Sequence, residues 1–269
     1  MGTDHNEGIC KKQGHSLMEV SKAIEVAAAR ANNRLELWAS IINDLQVTSF
    51  TEVGVYKGTF AQYILQQSES LQTYYMIDPW RHLDDWNKPA NTTNEEFVTF
   101  KQEALATTEF AAGKRVILEG KTTEVSSALP ERGLDCAYID GDHTLRGITI
   151  DLIRVLPKIR DGGILGGDDF CTSVWQHDAR FEPTLVFPLA VYFAEGMGAV
   201  IYGLPFNQFA ILVDRSHERF EFRDLTGDYP SLSLRDALGQ TVGPNPVRAR
   251  SSSRGGGERG SPGRSVSKV

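Results

Sequence analysis

Near the start of the chain, Val20, Ile24, Ala27 and Ala28 recur at helical spacing behind the capping box Ser16-Leu-Met-Glu19. That pattern predicts a helix from Ser16 to about Asn32. Leu37, Trp38, Ile41, Ile42 and Leu45 form a second amphipathic stripe. From Phe50 onward strand-like and helix-like stretches alternate. Strands are expected at 50–54, 74–77, 116–118, 134–139 and 163–165. Helices are expected at 58–67, 94–106, 123–128 and 144–159. Such alternation implies a Rossmann-like, doubly wound α/β fold whose mostly parallel sheet is covered on both faces. Two further strands, 199–202 and 208–213, are separated only by Gly203-Leu-Pro-Phe-Asn207. A parallel crossover needs about a dozen residues or more, so these two must form an antiparallel hairpin, and the sheet should close as seven strands with one reversed.

Composition narrows the class. The chain has 269 residues, 41% of them hydrophobic, which suits one domain with its own core. A single domain is expected over 16–240, with the helices of 16–46 leading into it and a flexible start at 1–15. No apolar run reaches the roughly 18 residues of a membrane span, and the polar start lacks the order of a secretory signal, so a cytoplasmic location is expected. Cys10, Cys136 and Cys171 are too few and too scattered for a disulfide framework or a paired-cysteine metal site. The net charge is -7, but residues 243–269 hold six basic residues and one acid, so this local +5 leaves -12 for the rest. An acidic body disfavours nucleic acid as main ligand. The Gly/Ser/Arg-rich tail, 241–269, is expected to be disordered.

Ligands of doubly wound sheets sit beyond the carboxyl ends of the strands, where the strand order reverses. Glu52-Val-Gly-Val-Tyr-Lys-Gly58 follows the first strand there and opens a helix, with Gly54 and Gly58 allowing a sharp turn and close ligand approach. Asp78 ends the second strand, where a carboxylate can hold a ribose diol. The loop spacing is not that of a dinucleotide fingerprint, and Glu52 would repel a pyrophosphate. It suits a ligand with an ammonium and a sulfonium and no phosphate, which describes S-adenosylmethionine (SAM).

The fourth strand ends in Ile139-Asp-Gly-Asp-His143 and the fifth in Gly166-Gly-Asp-Asp-Phe170. Acids converging from both ends would repel one another unless a cation lay between them, and oxygen ligands suit Mg²⁺. The expected ligands are Asp140, Asp168 and Asp169, with Asp140 also beside the cofactor. A hydroxyl held there could give its proton to His143 before attacking a methyl group. Capping of following helices is the competing role for these acids, and Asp142 is assigned to the turn.

Together these segments resemble the class I SAM-dependent methyltransferases, and within them the macrocin and mycinamicin type of metal-dependent sugar O-methyltransferase and its natural-product relatives. The similarity covers roughly residues 36–214. It implies that Glu52 lies by the cofactor's methionine part, that Asp78 holds the ribose, that Asp140, Asp168 and Asp169 bind Mg²⁺, and that His143 is the base. Gly120 and Thr122, after the third strand, would lie by the adenine. The expected partner is a small hydroxylated acceptor such as a sugar or natural product, with a homo-oligomer open. Trp80, Trp86 and Trp175 lie on loops over the same edge and could form a lid. A metal-independent methyltransferase, a non-catalytic binding module on the same fold and a dehydrogenase stay open as alternatives.

Overall fold

The computed structural model describes residues 15–216 and 218–229. The expected basic tail lies outside them, as does the expected flexible start except for His15.

Helix α1 (Leu17–Arg30) begins at Ser16, whose hydroxyl and Glu19 complete the capping box read from the sequence. Helix α2 (Arg34–Asp44) starts after Asn33, whose side chain accepts from the backbone N–H groups of Leu35 and Glu36. The alternating unit follows as β1 (Ser49–Val53), α3 (Thr59–Gln67), β2 (Thr73–Asp78), α4 (Asn94–Thr107), β3 (Arg115–Glu119), α5 (Thr122–Val125), β4 (Leu134–Ile139), α6 (Leu145–Val155) and β5 (Ile159–Gly167). The chain closes with α7 (Val186–Gly196), β6 (Val200–Leu204), β7 (Gln208–Val213) and β8 (Glu221–Asp224).

The strands form one sheet in the order β3-β2-β1-β4-β5-β7-β6-β8. β1 to β5 are parallel neighbours, and β7 runs antiparallel to both β5 and β6, as the short hairpin required. Three expectations need correction. The sheet has eight strands rather than seven, because β8 adds to β6 in parallel. α6 stops at Val155 rather than near 159, since Pro157 lies in the tighter turn that ends it. α7 lies in a stretch where no helix was expected.

Two apolar cores cover the faces. One joins Ile24, Trp38, Ile41 and Ile64 of the first three helices to Phe50 and Tyr138 of the sheet. The other joins Ile148 and Leu152 of α6 and Ala190 of α7 to Leu165 and Ile211. The strand order reverses between β1 and β4, so their carboxyl ends open a crevice. Among the described residues no helix is long and apolar enough to cross a membrane.

Candidate active site

The turn after β1 meets the end of β4 at very short range. A Cβ on Gly54 would lie 2.0 Å from the Asp140 carbonyl oxygen, and the residue's φ of +90° also requires glycine. A cavity of about 480 Å³ opens at this point and is lined by Glu52, Gly54, Asp78, Gly120, Thr122, Asp140 and His143. Gly58 has a different place. It begins α3 in the left-handed region and is packed against α4, where a Cβ would sit 2.9 Å from Ala104 Cα.

Glu52 is buried, and its carboxyl accepts the Tyr74 hydroxyl at 2.7 Å. Burial raises its pKa to about 8; the Tyr74 hydrogen bond opposes this, while Asp140 and Asp78 add to it. Asp78 accepts the backbone N–H of Tyr56 at 2.8 Å and of Trp80 at 2.7 Å. Burial still holds its pKa above the ordinary carboxylate value. Across the cavity, Thr122 donates to Asp151 at 2.6 Å, and burial moves the Asp151 carboxyl up to about 7. Asp151 lies mid-helix on α6, a position at which the sequence carries no motif.

The acids at the ends of β4 and β5 do converge, and cations stand between them. His143 pairs through Nδ1 with Asp169 Oδ2, while its Nε2 lies 3.3 Å from Asp140 Oδ1. That second approach is not aligned as a hydrogen bond, and Nε2 is buried without a partner. Burial alone would lower the imidazole pKa, but the two carboxylates outweigh it and raise the value to about 10. Asp169 is lowered in turn: burial opposes its charge, and His143 more than offsets that. Its φ of +57° in a non-glycine residue is a strained conformation of the kind that gathers at functional sites. Asp142 stays in the turn, where it accepts the Thr144 backbone N–H at 2.9 Å.

Asp168 faces elsewhere. Its Oδ1 accepts the Asp169 backbone N–H at 2.8 Å and the Gln208 amide at 2.5 Å, and its Oδ2 pairs with Arg34. The same Arg34 nitrogen reaches Asp140 Oδ2 at 3.0 Å. Three carboxylates aimed at one Mg²⁺ are therefore not what this arrangement offers, since Asp168 turns to Arg34 and Gln208 and lies outside the cluster of possible ligand atoms. Asp140, His143 and Asp169 do present three ligand atoms within 4.8 Å of one another. An imidazole among them suits a softer ion better than Mg²⁺, which favours an all-oxygen shell. The donor set does not fit Mg²⁺.

The loops after β2 and β5 overhang the cavity and touch each other. Trp86, Lys88, Gln176 and His177 line it, whereas Trp80 is buried and donates to the Tyr56 carbonyl at 2.8 Å. Trp175 is an exposed residue of the second loop.

Residues 51–170 match the family model described as a methyltransferase domain. No curated protein matches the sequence. In structure the chain is similar to a Staphylococcus aureus protein solved as a candidate caffeoyl-CoA O-methyltransferase, at 17% identity over 74% of this chain and 93% of that one, with a TM-score of 0.52. It is also similar to an O-methyltransferase from Bacillus cereus solved with SAH, at 12% identity over 76% and 93% and a TM-score of 0.46. A third similar structure is TomG from Streptomyces achromogenes, an O-methyltransferase of tomaymycin synthesis solved with SAM, at 13% identity over 77% and 92% and a TM-score of 0.48. The first of these likenesses establishes the fold.

Proposed function

We propose that this chain, whose residues 51–170 match a methyltransferase domain, is a class I SAM-dependent methyltransferase, that the acceptor is a hydroxyl oxygen of a small molecule and that His143 takes the proton. The observation that carries this is that His143 lines the same cavity as Glu52 and Asp78, with its Nε2 beside Asp140 but without a hydrogen-bond partner. Glu52 would face the cationic methionine part of SAM, Asp78 the ribose, and Gly120 with Thr122 the adenine. Gly54 lets the turn after β1 lie against the end of β4, which bounds the same cavity.

In the transfer step, a lone pair of the acceptor oxygen forms the new bond to the methyl carbon. The sulfur–methyl bond breaks, its electrons stay on sulfur, and the sulfonium charge is lost. The hydroxyl proton passes to His143 Nε2, while Asp169 at Nδ1 fixes the tautomer and stabilises the imidazolium that results. The flanking carboxylates hold His143 protonated at neutral pH, so turnover should rise with pH toward about 10. The loops after β2 and β5 would exclude water from the transfer.

Mass spectrometry of the purified chain with isotopically labelled SAM and a panel of hydroxylated metabolites, sugars and catechols included, tests the reading. A product carrying the labelled methyl on oxygen is expected. Methyl transfer only to nitrogen or carbon acceptors would refute the proposed chemistry, and tight NAD binding without SAM binding would refute the cofactor.

A further inference from the structure

One guanidinium from the N-terminal helices ends among the acids that the ends of β4 and β5 bring together. Arg34 is the first residue of α2, and a single nitrogen of it, Nη1, pairs with both Asp140 and Asp168 and lies 3.3 Å from the Tyr138 hydroxyl. Among the described residues no other lysine or arginine pairs with either acid.

Arg34 is held there by the helix that carries it. Trp38, one turn further along the same face, lies against β5 at Gly166, where a Cβ would come within 2.3 Å of the indole. Its Nε1 donates to Gln208 at 2.9 Å, and Gln208 also accepts the Tyr138 hydroxyl at 3.0 Å and donates to Asp168. The network fixes α2, Asp168 and Tyr138 relative to one another and turns Asp168 toward Arg34.

Charge points the same way. Asp140, Asp168 and Asp169 bring three carboxylates to one small volume, and Arg34 stands against two of them. A guanidinium remains charged at any working pH and carries five N–H donors in a fixed plane. Nε and Nη2 of Arg34 make no hydrogen bond within the described residues, and the side chain, 38% exposed, lines the cavity.

Building on the methyltransferase reading above, we propose that Arg34 replaces the divalent ion in this site, neutralising Asp140 and Asp168 while its remaining donors hold the acceptor oxygen beside His143. Methyl transfer then needs no metal. The atoms balance as before: oxygen gains the methyl group, sulfur becomes a neutral thioether and His143 receives the proton. Arg34 keeps its own protons throughout and stabilises charge on the attacking oxygen.

The full chain, freed of metal by a chelator and then dialysed, is titrated with Mn²⁺ alone while free Mn²⁺ is followed by electron paramagnetic resonance. SAM binding is measured by calorimetry on the same samples with EDTA present. Wild type should bind no Mn²⁺ at the cluster and should bind SAM equally well with or without EDTA. Arg34→Ala should open a Mn²⁺ site that Asp168→Ala removes again in the double variant, and Arg34→Lys, which keeps the charge, should not open it. Arg34→Met replaces Arg34→Ala if circular dichroism shows that the latter does not fold; if neither folds, the wild-type titration decides alone. Stoichiometric Mn²⁺ binding by wild type that Asp168→Ala or Asp169→Ala abolishes would overturn the proposal and leave the methyltransferase reading intact. Folded Arg34→Ala that acquires no Mn²⁺ site would also overturn it. Failure of wild type to bind SAM would instead refute the underlying reading.

Discussion

Glu52 is the residue whose ionisation the cofactor should control. In the free protein burial holds its pKa at about 8, against an ordinary 4.5, so it is mostly neutral at pH 7. The sign follows from linkage. A carboxyl raised on folding keeps its stabilising protonated form below its unfolded value, and the free protein loses that stability as pH rises through 8. A cationic ligand needs the ionised form, so SAM binding at pH 7 must release about one proton. Affinity should therefore climb up to about tenfold per pH unit below 8 and level off above it. Calorimetry in buffers of different ionisation enthalpy measures that proton directly, and Glu52→Gln should lose both the pH dependence and the proton release. Affinity that is flat from pH 6.5 to 9 in wild type, over roughly the span in which such a group titrates, would show that Glu52 does not face the cationic part. His143 is the second residue with a direct test. Its replacement by Gln keeps a polar side chain but removes the base, and turnover should fall by about 10² to 10⁴ while SAM affinity changes little. Loss of SAM binding in His143→Gln would instead mark a structural role.

Among the elements, α2 connects packing to chemistry. Trp38 rests on the sheet because β5 has glycine at 166, where a Cβ would meet both the indole at 2.3 Å and the Phe209 carbonyl oxygen at 2.4 Å. One of those neighbours is backbone and cannot rotate away. Gly166→Ala should then cost about 1–3 kcal/mol, seen as a fall of several degrees in Tm, with α2 displaced from the sheet. A Tm equal to wild type would mean that α2 is not seated on β5 in this way. The elements also show what a pattern of residues can tell. Helices with one polar face, such as α1 and α6, and strands ending in glycine turns were legible because their period is visible. α7 was not, because Val186-Phe-Pro-Leu-Ala-Val-Tyr-Phe-Ala194 is nearly all apolar and Val186, Phe187, Ala190, Val191 and Ala194 are buried. With no polar stripe there is no period to read. β8 escaped notice for the opposite reason: Glu221-Phe-Arg-Asp224 is four residues long, mostly charged, and an edge strand.

For the whole molecule, the site was legible as far as strand ends reveal it. Glu52 and Asp78 lie at the ends of parallel strands and Asp140 and Asp169 follow them, and the parallel order alone sends such residues to one rim. Arg34 could not be found in that way. It is 106 residues from Asp140, carries no motif, and at the start of an amphipathic helix looks like any solvated base. The lid has the same character. Lys88, in the loop after β2, is buried, and its ammonium donates to the carbonyls of Glu182 at 2.9 Å and Pro183 at 3.1 Å and to the Thr184 hydroxyl at 3.2 Å. Burial lowers its pKa, and the nearby Asp142, Asp169 and Glu182 oppose this. The loop after β2 is thereby fastened to the loop after β5, and residues of both line the cavity. Removing the ammonium leaves two part-buried carbonyls without this donor, a loss at or below the low end of the about 1–3 kcal/mol that each fully buried unpaired group costs. That loss falls on a junction between loops and not on the sheet, so local opening should increase well before global stability suffers. In Lys88→Met, hydrogen exchange should quicken at residues 81–91 and 171–184 while β1 and β4 keep their protection. The KM for the acceptor should rise with SAM affinity nearly unchanged. If exchange instead quickens across the whole sheet, Lys88 supports the core, and the two loops do not act together as a cover over the site.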